Sequence, residues 1–132
     1  MKHGLESLCV LLVMAAFLAA AGCGGKGDSS PPVANATPST RLQIRARSLK
    51  FDTKTLVAAA KSDITLSFEN DDAGILHNLA VYRDKSAKER IFAGELVNGP
   101  RTVEYHFDVP LEGDYYFRCD THPDMNGAFL VR

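Results

Sequence analysis

Cys119, His122 and Met125 follow one another at intervals of three near the C-terminal end of this 132-residue chain, and His77 lies well upstream of them. Together they offer one thiolate, two imidazoles and one thioether. Soft sulfur donors select copper, imidazole serves both of its oxidation states, and two His plus one Cys with a weak axial Met is the set tied to single-electron transfer. With three Cys, four His and three Met in the chain, a Cys followed by His at +3 and Met at +6 arises by chance at a rate of roughly 0.002. The spacing therefore points to one mononuclear copper ion held by His77, Cys119, His122 and Met125.

Other chemistries fit less well. An oxidase or reductase would need a second, His-rich copper cluster, and the remaining histidine downstream of the leader, His106, sits in a strand pattern between Tyr105 and Phe107 as a surface or structural residue. The chain is thus read as a non-enzyme. A copper carrier or buffer is the alternative; its mark would be an exposed Met- or His-rich tract, whereas Met1 and Met14 fall in the leader and only Met125 remains. Zinc would accept the same Cys and His ligands but would be redox-silent. No basic stripe interleaved with aromatics is present, which excludes a nucleic-acid partner.

Positioning four ligands from two distant segments requires a rigid frame, and period-two alternation supplies one. Leu42, Ile44 and Ala46 alternate with Gln43, Arg45 and Arg47; Ile64, Leu66 and Phe68 alternate with Thr65, Ser67 and Glu69; Leu79 and Val81 follow His77. Further strand runs are predicted at 90–94, 102–107, 113–118 and 128–131, with a shorter one at 55–61 and a helical turn near 86–90. Turn clusters separate them, including Asn70-Asp71-Asp72-Ala73-Gly74 and Asn98-Gly99-Pro100. Such a pattern describes an all-β, antiparallel sandwich. Cys119 would then end one strand and Met125 precede the last, so that three ligands share one interstrand loop while His77 opens another strand.

The ends of the chain point to export. Leu8 to Ala21 is an apolar run of 14 residues, short for a membrane span and suited to a signal-peptide core. It ends in Ala20-Ala21-Gly22-Cys23, which resembles a bacterial lipobox and predicts a signal over 1–22 with lipid on Cys23; an ordinary cleaved signal is the alternative. Residues 23–40 are rich in Gly, Ser and Pro and read as a flexible tether. Residues 41–132 make one domain with 13 Lys and Arg against 14 Asp and Glu, expected to be monomeric and attached to a membrane of the cell envelope through that lipid. Cys119 is its lone cysteine, so it holds no internal disulfide, and a bound metal would protect the thiol in an oxidising compartment.

The run Tyr115-Tyr116-Phe117-Arg118-Cys119-Asp120-Thr121-His122-Pro123-Asp124-Met125-Asn126-Gly127 resembles the copper loop of the cupredoxins, with the short Cys-x-x-His-Pro-x-Met spacing of the amicyanin type. Phe68-Glu69-Asn70-Asp71-Asp72 followed by His77-Asn78 is similar to the family's first-ligand region. The resemblance implies a Greek-key sandwich of about eight strands with copper near one end. It also implies a redox protein as partner, electron exchange through His122, and Asn78 as the residue tying the two ligand segments together. Asp120 and Asp124 depart from the apolar patch that cupredoxins often carry around the surface histidine, and so mark where a partner would be sought. Lys61-Ser62-Asp63 stands where a glycine-containing turn is expected.

Overall fold

The computed structural model describes residues 36–132. The predicted signal over 1–22, lipid-bearing Cys23 and most of the tether lie outside these residues. Eleven strands are present: β1 (Arg41–Arg47), β2 (Lys50–Phe51), β3 (Thr55–Ala58), β4 (Asp63–Asn70), β5 (Leu76–His77), β6 (Ala80–Tyr82), β7 (Arg90–Ala93), β8 (Val97–Asn98), β9 (Arg101–Asp108), β10 (Gly113–Arg118) and β11 (Asn126–Val131). β2, β5 and β8 are two-residue pieces, which leaves eight strands of three residues or more.

Alternating side chains make the two layers. β1 buries Leu42, Ile44 and Ala46, and β4 buries Ile64, Leu66, Phe68 and Asn70, in strict alternation with exposed or half-buried neighbours; a strand with one apolar face must cover it. The first sheet runs β2-β1-β4-β9 and the second β3-β11-β10-β6-β7, while β5 and β8 form a separate ribbon. Between the sheets lie Phe68, Phe117, Phe129, Ile64, Leu66 and Leu79, all fully buried, with Phe51 against Phe117 at a ring separation of 5.6 Å. Gly127 is needed here: a side chain on it would run into the Lys54 carbonyl and the Phe117 ring.

The strands are not all antiparallel. β1 runs parallel to β4, and β11 parallel to β3. Alternation reports which face is buried and is blind to strand direction, which the crossovers between sheets decide. The helical turn expected near 86–90 is absent: Ala87 donates to the Asp84 carbonyl across a turn and itself takes φ 52°. At 61–63 the turn needs no glycine, because Lys61 adopts the left-handed conformation, φ 55°.

His77 and the copper-type loop meet at one end of this frame. β6 pairs with β10, placing Ala80 opposite Arg118, so continuing that register brings Leu79 opposite Cys119 and Asn78 opposite Asp120 at the same sheet end. β11 returns beside β10 with Asn126 opposite Arg118, which closes the 119–125 loop over the same point.

Candidate metal centre

The 119–125 loop is tied at its base. Cys119 donates its backbone N–H to the Met125 carbonyl at 2.9 Å, and Met125 donates to the His122 carbonyl at 2.9 Å. These bonds close the seven residues into a tight loop. Cys119 and Met125 are both buried in the core cluster, and Cys119 is a free thiol.

His77 reaches the loop from the β5–β8 ribbon. The two imidazole Nδ1 atoms are 3.1 Å apart, and Cys119 Sγ stands 3.6 Å from His77 Nδ1 and 3.9 Å from His122 Nδ1. All three donor atoms lie within 4.8 Å of one another. His77 and Cys119 are fully buried while His122 is half-buried. Two ring nitrogens and a sulfur turned toward one point, rather than toward backbone partners, fit a single soft cation. Among the described residues this is the one such cluster of His, Cys and acidic groups. His106 stands apart from it, 67% exposed on β9.

The surrounding hydrogen bonds hold the ligands still. Asn78 accepts the Asp120 N–H at 2.9 Å and donates to Asp120 Oδ2 and to the Gly94 carbonyl, each at 3.0 Å; it thereby stitches the segment after β5 to the residue after Cys119. Thr121 donates its hydroxyl to the Leu76 carbonyl at 2.8 Å, and the same oxygen lies 3.2 Å from Cys119 Sγ. His77 Nε2 is 2.9 Å from Asp72 Oδ2. Burial works against the charge of Asp72, yet the Leu49 N–H, the His77 ring and the Ser48 N–H together hold its carboxyl below the ordinary value.

Asp120 differs from the sequence expectation. Its carboxylate is not a free surface charge, because Tyr82 donates to it at 2.5 Å, Asn78 donates to it, and Arg118 lies 3.7 Å away while also stacking over the Tyr82 ring. Burial, then Asp120, push the Tyr82 phenol above its ordinary value. Asp124 is exposed, as expected. The large apolar side chains that do reach solvent here are Leu76 of β5 and Leu96, just ahead of β8, 45% and 47% exposed. Asp72 and Thr121 were not singled out as functional from sequence; the one available signal was the Asn70-Asp71-Asp72 cluster, whose acidic and amide side chains commonly bond nearby backbone N–H groups.

No protein-family model matches the chain. Auracyanin-A of Chloroflexus aurantiacus is 28% identical over 152 residues, covering 94% of this chain and 94% of that protein. The structure of dithionite-reduced auracyanin from Roseiflexus castenholzii superposes with a TM-score of 0.66 at 20% identity, over 73% of this chain and 99% of that one. The chain has the cupredoxin fold. Amicyanin from Paracoccus versutus also shares the fold, with a TM-score of 0.51 at 22% identity over 80% of this chain and 94% of amicyanin.

Proposed function

We propose that this protein is a member of the cupredoxin family, a type 1 copper protein that passes single electrons between redox partners, with one copper ion held by His77, Cys119, His122 and Met125. The carrying observation is the convergence of two imidazoles and a thiol within 4.8 Å. When bound, copper supplies a one-electron couple between Cu(I) and Cu(II). The chain's own contribution is constancy: a loop closed by two backbone bonds and pinned through Asn78 presents the same donors in either oxidation state. Burial of His77, Cys119 and Met125 excludes water. His122, half-buried beside the exposed loop residues Thr121 and Pro123, is the ligand closest to solvent and offers the shortest route to a partner. The exposed Leu76 and Leu96 suit transient docking better than the internally paired Asp120 does.

The domain is an electron carrier and not an enzyme. Cu(II) titration is expected to give an intense blue band saturating at one ion per chain and bleaching reversibly on reduction. A colourless complex that surrenders its metal to a chelator would instead favour the carrier reading.

In the cell the domain would sit at the envelope as a monomer, attached through lipid on Cys23 by a linker that ends where Ser39 bonds to Val57 and Ala59. The 14-residue apolar run and the Ala-Ala-Gly-Cys sequence support this. Lipidated protein should partition into a detergent phase, and Cys23→Ala should return it to the aqueous one. Equal partitioning of both forms would remove the anchor from the account.

A further inference from the structure

We propose that Asp72 is the positioning residue for His77, fixing that buried imidazole to the exposed turn between β1 and β2. The functional consequence rests on the copper reading above; the positioning itself can be measured without metal. The His77 side chain is 0% exposed, so Nε2 must find its partner inside the protein, and Asp72 Oδ2 at 2.9 Å is that partner. A carboxylate here accepts, which places the ring proton on Nε2 and leaves the Nδ1 lone pair facing Cys119 and His122.

Asp72 cannot follow the ring if it turns. Its Oδ1 accepts the Ser48 N–H at 2.6 Å, its Oδ2 accepts the Leu49 N–H at 3.0 Å, and its own N–H is donated to Asn70 Oδ1 at 2.9 Å. Ser48 and Leu49 are consecutive left-handed residues, φ 53° and 58°, linking Arg47 to Lys50. Two-residue hairpin turns of this hand ordinarily use Asn and Gly, and a leucine there is strained. The strained pair aims two successive N–H groups at one carboxylate. They hold the carboxylate in place against the His77 ring. Leu49 is 49% exposed, so a short bonded chain runs from the surface to a buried ligand.

The test reads the imidazole N–H resonances of metal-free protein. Wild type is expected to show a downfield, exchange-protected proton on His77 Nε2. Asp72→Asn should remove that signature, because one arm of the amide is a donor facing other donors. Loaded with copper, the variant should stay blue, have a higher reduction potential and lose metal to a chelator at least about tenfold faster, as outer partners of metal-bound histidines do when removed. A lowered melting temperature with the His77 proton and the potential both unmoved would mean a purely structural role and overturn the proposal. Should Asp72→Asn fail to fold, the wild-type spectrum decides: a proton on Nδ1, or none protected, overturns it. Failure of the copper reading would look different, as a wild type with the Nε2 proton in place and no blue band.

Discussion

Cys119→Ser is expected to abolish the blue absorption and lower copper affinity by orders of magnitude while leaving the β sandwich folded. The serine hydroxyl stays protonated where the thiol ionises, and oxygen lacks the soft lone pairs that make thiolate select copper and give the sulfur-to-metal charge-transfer band. The structural cost is small for three reasons. The side chain changes by one atom in a site that is already closed; the backbone bond from residue 119 to the Met125 carbonyl is untouched; and the new hydroxyl finds the Thr121 oxygen and the His77 ring where sulfur stood at 3.2 and 3.6 Å. A destabilisation of about 1 kcal/mol follows for a near-isosteric change of this kind, or a few degrees in the melting temperature of the metal-free protein. Visible spectra and thermal melts on the same samples check both halves. A serine variant that remained blue, or one that failed to fold, would contradict the assignment of Cys119 as a ligand carried by a preformed loop.

Why was so much of this centre legible before the fold was known? Cys119, His122 and Met125 lie within seven residues, and a loop that short brings its side chains together whatever surrounds it. His77 is legible as a ligand by residue type and Asn78 only through the family resemblance, and nothing in the local sequence says that the segment carrying them will meet the end of another strand; the β6–β10 register accomplishes that. Asp72 was hidden more deeply. Its role depends on the left-handed turn at Ser48-Leu49, and neither residue is a type that advertises such a turn. The bonding of Asp120 is hidden for a related reason: its partners Tyr82 and Asn78 come from a neighbouring strand and the segment before it, so an apparent surface acid is tied inward. Alternation identified the buried faces, including those of β1 and β4, but said nothing of their parallel pairing. Local geometry was readable, whereas contacts that required a register were not.

Asn70 is the position where that limit has its largest consequence. The sequence presents it as the first residue of a turn cluster, yet in the fold it is 0% exposed and bonded on every side. Its amide donates to the Ile75 and Val97 carbonyls, both at 2.8 Å, and its oxygen accepts the Asp72 N–H at 2.9 Å. Ile75 precedes the β5 strand that carries His77, and Val97 pairs with His77 in the ribbon, so one side chain ties together both sides of the ligand. Gly99 is held close for the same reason: a side chain there would meet Asn70 and the Asp72 carbonyl. Asn70→Ala strands two carbonyls and one N–H, at about 1–3 kcal/mol for each group that finds no replacement, and water entering the gap recovers part of the loss. A net destabilisation of about 3–4 kcal/mol is expected, which for a domain of this size lowers the melting temperature by roughly 15 °C or more. Asn70→Asp should do no better, since it keeps the acceptor for Asp72 but points a charged oxygen at two carbonyls. Because the lost bonds flank His77, copper should also leave faster from the alanine variant at temperatures where it is still folded. A loss below about 1 kcal/mol, with copper retention unchanged, would show that the β5–β8 ribbon is held by its own pairing and that Asn70 merely fills space.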